Sequence, residues 1–453
     1  MEKLYQYIWK YRLLPKELAT TDGRAVRVIS TGLHNSDSGP DFSGARLIIG
    51  GDDMAGNVEV HVKASDWFAH NHHTDPAYSN VILHFVAISD KYIPDGCGGM
   101  IPQVAYQIPE GFQRLYGRLA NNIRCVKCEA ELWRLPPLTL TSWIDSLAVE
   151  RIQQKAGRIL DEVKQSNGDW QRACFITFAR SLGFSLNSLP MEMLARSIPL
   201  QVLAKHSDNL FQLEALIFGQ AGMLDVSKFI LDQYYQNLCR EYYFLSRKYG
   251  LRPLRQDIWK YNRTRPMNFP TRRLALLALA LKGGFGMMAR ILDYDGAQDS
   301  VDSLFDFKME GYWASHFDFG KPTLTTGLSA LSSSNLQLLL INFVAPMLYA
   351  YGAAHCDPDL AERGLDIWRD TEAENNTYIR QWRNAGIPCV SAVDSQALLQ
   401  LRKEYCDNGH CLKCRFGHAL LREMSDASDR LLREPRENML REPQEEGCIN
   451  QEN

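Results

Sequence analysis

Asp41 closes the turn Gly39-Pro40-Asp41, and further along the chain Glu59-Val60-His61-Val62-Lys63 alternates acid, imidazole and ammonium with apolar residues. In an extended strand Glu59, His61 and Lys63 project from one face. Metal-dependent cleavage of a phosphodiester needs carboxylates to hold a divalent cation against a phosphate oxygen. It also needs a base or cation near the attacking water. Asp41 and Glu59 are the candidate ligands for Mg²⁺ or Mn²⁺, and His61 and Lys63 the candidate base and charge-offsetting groups.

A hairpin must position them. Ala45–Ile49 and Val58–Val62 alternate with period two on either side of Gly50-Gly51-Asp52-Asp53. A two-residue turn at Gly51-Asp52 places Asp41 opposite Val62, on the face away from Glu59. One extra residue, such as a bulge at Gly56, moves Asp41 opposite Lys63 and aligns all four side chains. The site therefore requires an irregularity in this hairpin. Arg24–Ile29 reads as a further alternating strand, and Val81–Val86 as an apolar strand covered on both faces. With an amphipathic helix over Met1–Leu14, these elements predict a small α+β domain over residues 1–120.

The order of helix, strand, acidic hairpin, helix and strand resembles the core of the PD-(D/E)XK nuclease superfamily. Pro40-Asp41 matches the PD pair and Glu59-Val60-His61 the (D/E)XK triplet. The resemblance implies a restriction-endonuclease-like mixed sheet, a divalent ion, DNA or RNA as substrate, and an acid on the first helix, for which Glu2 is available. His61 stands where lysine is usual, so either His61 substitutes or Lys63 reaches back from one strand step further on. Over nearly its full length the sequence also resembles an uncharacterised family of bacterial proteins of unknown function. The matching segments include Gly39–Phe42, Val58–His61, Ser65–Trp67, Asn80–His84, Phe218–Gly222, Asn268–Arg272 and Cys411–Cys414.

Other clusters can do chemistry. His70, His72, His73 and Asp75 lie close enough in sequence to bind a transition metal or to donate a proton beside Glu59. The alternative is a polar loop in which Asp75 caps a helix starting at Pro76. His84, inside an apolar strand, reads as a hydrogen-bonded core histidine. Toward the C-terminus Cys406, Cys411 and Cys414 have metal-ligand spacing, with Cys389, His410 or His418 to complete a zinc or iron–sulfur site. Cys125-x2-Cys128 can contribute from afar. Arg263, Arg265, Arg272 and Arg273, interleaved with Tyr261 and Phe269, form a candidate nucleic-acid-binding loop.

Composition bounds these readings. A chain of 453 residues with net charge −3 has no global attraction for nucleic acid, so any such contact must be local. Eleven cysteines behind a start that does not read as a signal peptide predict a reducing, cytoplasmic setting, and thus metal ligands before disulfides. A mostly α-helical domain is expected over 138–385 after the Pro136-Pro137 linker, with Thr141 as a helix N-cap. A cysteine-rich element at 386–425 and a disordered tail at 426–453 follow. Leu336–Tyr351 is apolar but short for a membrane span, and reads as a buried helix kinked near Pro346. Metal-dependent nuclease chemistry is thus one expectation. The other is a non-catalytic nucleic-acid-binding or scaffold protein with a structural metal.

Overall fold

The structure, a computed structural model, describes residues 1–431 apart from 16, 36–37, 97, 123, 125, 185, 226–231, 263, 265–267, 297–300, 302–303 and 324–330. For 424–431 it describes the backbone alone. The chain divides into two units, residues 1–143 with 401–453 and residues 144–400.

In the first unit, seven strands form a mixed sheet. They are β1 (Leu18–Ala19), β2 (Ala25–Ser30), β3 (Leu33–His34), β4 (Phe42–Ile49), β5 (Asp52–Lys63), β6 (Val81–Ile88) and β7 (Gln103–Ala105). The order is β1-β2-β4-β5-β6-β7, with β3 beside β4. Strands β1 to β5 pair antiparallel, whereas β6 runs parallel to β5 and β7 parallel to β6. The two edges approach one another, because the Thr21 N–H donates to the Gln103 carbonyl at 2.8 Å. Helix α1 (Glu2–Lys10) buries Leu4, Tyr5, Ile8 and Trp9, and the rings of Tyr5 and Trp9 lie 6.0 and 5.3 Å from Phe85 of β6. A parallel pair needs a crossover. The one from β5 to β6 contains α2 (Asp66–Ala69) and two single 3₁₀ turns, His72–Thr74 and Pro76–Tyr78.

The β4–β5 hairpin carries the irregularity that the site requires, but not where the sequence predicted it. The strands run in step from Ile49↔Asp52 to Ala45↔Gly56, so the turn is Gly50-Gly51, one residue earlier than expected. The next pair is Phe42↔Val58, so β4 spends one more residue than β5. The extra residue lies at Ser43-Gly44, where Gly44 has φ +66°, a left-handed backbone that glycine adopts without a Cβ clash. Gly56 stays in the ladder. The slip carries Asp41 past Val60 to the Glu59 side.

The second unit is helical, with a core that includes Phe175, Phe178, Phe218, Trp313, Phe343 and Trp368. Its boundaries differ from those predicted. The first long helix starts at Pro137, and Thr141 lies inside it, returning its hydroxyl to the Pro137 carbonyl at 3.2 Å. Proline at the first helical position loses no hydrogen bond, which is why Pro136-Pro137 starts a helix instead of ending as a linker. The cysteine-rich element does not stand alone. Ala397 and Leu398 are buried in the second unit, while Leu401, Phe416, Leu420 and Leu421 are buried in the first. Helix Arg415–Leu431 extends past the predicted start of the tail, and residues 432–453 lie outside the described set. Ser333–Ala354 is the one helix, among the described residues, long and apolar enough to cross a membrane. Leu339, Ile341, Phe343 and Met347 are nevertheless buried inside the unit. A π-helical turn at Leu340–Val344 ends two residues before Pro346, near the predicted kink, consistent with the N–H that proline lacks.

Candidate metal centre

Register places Glu59, His61 and His84 on one face of the sheet, since β5 and β6 are parallel with Glu59↔His84 and His61↔Val86. That face is covered by the crossover. Asn71, with φ +62°, turns the chain between His70 and His72, and both imidazoles reach back toward His61. His72 is fixed by stacking on Tyr78, with ring centroids 3.8 Å apart, and by the edge of Trp67 at 5.4 Å.

The carboxylates are anchored by the backbone. The Asp41 N–H donates to Glu59 Oε2 at 3.0 Å, and the Val60 N–H donates to Asp41 Oδ2 at 3.1 Å. Gln6 of α1 donates through Nε2 to Asp41 Oδ1 at 2.8 Å. Glu59 Oε1 lies 3.5 Å from His61 Nε2 and 3.4 Å from His72 Nε2. His61 contacts two further imidazoles, His84 Nε2 at 2.9 Å through Nδ1 and His70 Nδ1 at 3.1 Å through Nε2. One nitrogen atom from each of His61, His70 and His72 lies within 4.8 Å of the others, a spacing that a single cation can bridge.

Burial governs the electrostatics. It pushes the Glu59 carboxyl up to about 9, with the Asp41 charge adding to the effect. Asp41 rises to about 6, again by burial, although Gln6 and the Val60 N–H oppose the shift. Burial and neighbouring imidazoles lower His61 and His72 to about 4 and His84 to about 3. Acids driven toward the neutral acid and imidazoles toward the neutral base mark a pocket that lacks a positive charge. His72 Nε2 is buried without a hydrogen-bond partner, the atom that a cation would satisfy. The donor set therefore fits a divalent metal, and three imidazoles suit Mn²⁺ or Zn²⁺ better than Mg²⁺.

The structure brings together Asp41, Glu59 and His61, but not Lys63. Lys63 is exposed at the end of β5, where its N–H donates to Asp66 at 3.0 Å. The histidine cluster divides. His70 and His72 join the site, whereas Asp75 caps the Pro76–Tyr78 turn by accepting from the Ala77 N–H at 2.9 Å, and His73 packs on Phe68. His84 is a core histidine that also orients His61. Gln6 was not anticipated. Its only signal is its place one helical turn after Glu2 on α1.

One further expectation is corrected, and the expected cysteine ligands fall in different units. Arg272 and Arg273 are not a nucleic-acid surface, since they are 3% and 4% exposed in helix Pro270–Leu281. Arg272 donates to the carbonyls of Trp313 (2.9 Å) and His316 (3.1 Å), and Arg273 lies over the Phe184 ring and donates to Asn268. Arg263 and Arg265 lie outside the described residues. Cys406, Cys411 and Cys414 belong to the first unit, but Cys389 belongs to the second, where the Arg383 guanidinium holds its carbonyl.

No curated protein and no solved structure matches the chain. Residues 2–377 match a family described as protein of unknown function (DUF2851), and the chain belongs to that family.

Proposed function

We propose that the first unit is a divalent-metal-dependent nuclease acting on DNA or RNA phosphodiesters, built on a PD-(D/E)XK-like core. The observation that carries this reading is the slip at Gly44. It sets Asp41 beside Glu59, whose Oε1 faces His61 and His72 of the three clustered imidazoles. The order α1, β2, β4–β5 hairpin, helical crossover and β6 is the one the resemblance implies. The closing edge contact at Thr21 and the histidine in the lysine position are departures from it.

Asp41, Glu59, His61, His70 and His72 would hold the cation. Bound there, it supplies charge stabilisation to the phosphodiester and acidifies water at neutral pH. The chain does the rest. Asp41 and Glu59 are held by backbone N–H groups and Gln6, so they would receive the cation without reorganising. With a cation on His61 Nε2, the ring proton would sit on Nδ1, which shares a 2.9 Å hydrogen bond with His84 Nε2.

The test is cleavage of single- and double-stranded DNA and RNA with Mn²⁺, Zn²⁺ or Mg²⁺, comparing wild type with Glu59→Gln and His72→Ala. Activity is expected with Mn²⁺ and should fall by ~10²-fold or more in either variant. Cleavage that survives Glu59→Gln would assign it to another site or protein. Saturable Mn²⁺ binding with no cleavage of any substrate would favour the non-catalytic scaffold instead.

A further inference from the structure

The second unit contains a cavity of about 850 Å³, within the range of small-molecule sites. One wall is the long helix Pro137–Gln165, whose Arg151, Lys155 and Arg158 recur at the spacing of a single helix face and all line the cavity. Helices Trp170–Leu182 and Ser188–Ser197 contribute Arg180, Glu192 and Arg196, and the π-helical turn Leu340–Val344 contributes Asn342. Turns of that kind occur frequently at functional sites.

The cations of the lining are treated in two ways. Arg180 pairs with Glu192, and Arg196 pairs with Glu192 and Glu162, so carboxylates neutralise that part of the wall. Among the described residues, no carboxylate lies within ion-pair distance of Lys155 or Arg158. Lys155 donates instead to the neutral amide of Asn342 at 2.7 Å, and Asn342 Nδ2 is anchored on the Leu338 carbonyl at 2.9 Å. Arg151 donates to the side-chain oxygens of Gln154 at 3.1 Å and Gln400 at 3.4 Å. Burial pushes the Lys155 ammonium well below its ordinary value, with Arg151 adding to the effect and Glu374 opposing it. Like charges gathered on one cavity wall are what a bound anion relieves. A purely structural ammonium over the face of Trp368, 5.3 Å away, is the plainer role for Lys155. It accounts for neither Arg158 nor the cavity that the three cations share.

We propose that this cavity binds a small molecule carrying a phosphate monoester. A phosphate monoester has three terminal oxygens and close to two negative charges, so it can accept a charge-assisted hydrogen bond from each of Arg151, Lys155 and Arg158. A carboxylate offers two oxygens and one charge. Lys155 keeps two N–H donors beyond the one given to Asn342, and Arg158 is exposed, so it can meet a ligand entering from solvent. Asp161 and Glu374 also line the cavity, and Glu374 is held by the Gln396 amide at 2.5 Å and the Asn376 amide at 3.2 Å. These two acids oppose a dense polyanion and leave a single phosphate group as the better match. The site belongs to the second unit and stands apart from the histidine centre of the first.

The experiment is calorimetry on the full chain in excess EDTA, which keeps divalent metal from the histidine centre. The probes are AMP, ribose phosphate, inorganic phosphate, adenosine and citrate. Saturable one-to-one binding of AMP or ribose phosphate is expected, and it should persist in His72→Ala. A preference for AMP would identify a nucleotide site, and equal affinity for the two esters a sugar-phosphate site. Lys155→Met and Arg158→Ala should each weaken binding by ~10-fold or more, because each removes a charge-assisted hydrogen bond. Arg255→Ala, at an exposed arginine outside the cavity lining, should leave it unchanged. If Lys155→Met fails to fold, Arg158→Glu keeps the test, since its side chain is exposed and its reversed charge should abolish binding. No saturable binding of either ester, affinity unchanged by the Arg158 substitutions, or loss of binding in folded His72→Ala would each overturn the assignment. So would adenosine binding as tightly as AMP, or citrate or inorganic phosphate binding more tightly than both esters.

Discussion

Buried ionisable groups are treated differently in the two units. In the second unit the buried charged side chains reach polar partners, although Arg272 Nε and Arg273 Nε have none. Glu162 pairs with Arg196, the Tyr234 hydroxyl donates to Glu214 at 2.5 Å, Arg272 donates to two carbonyls, and the Lys155 ammonium donates to Asn342 Oδ1 at 2.7 Å over the face of Trp368. In the first unit the buried carboxylate of Glu59 faces two imidazole nitrogens that are neutral at pH 7, and three imidazoles face one another. The first pattern is how a fold accommodates buried polarity. The second is stable only as a set of neutral groups or around a cation, and the proposed metal is one way to satisfy it.

The largest effect that can break this comparison is pH-dependent stability without metal. Glu59 has a folded value of about 9 against 4.5 in the reference state. The unfolded chain therefore binds fewer protons across that window, and stability falls as pH rises through it. His61 and His72 sit at about 4 against 6.5, so from pH 4 to 6.5 the unfolded chain binds more protons and stability rises. Metal-free protein should be most stable near pH 6.5 and lose about 3 kcal/mol on the alkaline side. Glu59→Gln should flatten the alkaline limb, and denaturant titrations across pH would measure it. An unchanged limb would mean that Glu59 is ionised and otherwise compensated.

Next, His72→Ala should weaken Mn²⁺ binding by ~10²-fold in calorimetry. A variant from the other pattern, Arg272→Met, should leave Mn²⁺ affinity unchanged. It should destabilise by about 2 kcal/mol, because two buried carbonyls lose their donor. If Arg272→Met abolished metal binding while preserving the fold, the distinction between the two kinds of polarity would fail. The smallest effect is expected for Gly44→Ala, about 1 kcal/mol from forcing a Cβ into left-handed backbone. Its diagnostic value lies in the register. A loss of Mn²⁺ affinity larger than the loss of stability would show that the slip, and not stability alone, sets Asp41 beside Glu59.

Much of the first unit was legible because local patterns specify it. The alternation in Val58–Val62, the apolar run of Val81–Val86 and the amphipathic start all appear as β5, β6 and α1. The need for a slip followed from the two-residue period of a strand, but its position did not. Both Gly44 and Gly56 can host a bulge in isolation, and the ladder with β2 and β6 selects between them. Lys63 was misjudged because period two gives the face of a side chain but not where the strand leaves its cover. Arg272 and Arg273 looked like a basic loop because charge near aromatics is the same in sequence whether it faces solvent or a buried carbonyl.

The sequence alone therefore determined the donor types, the strand that carries Glu59 and His61, and the requirement that the hairpin be irregular. These rest on covalent order and on the period of an extended chain. Only the tertiary structure decided which of the clustered histidines face Glu59 and that Gln6 holds Asp41. Those contacts join segments far apart in the chain, and burial, which no short window of sequence reports, sets the charge states of the groups that meet there.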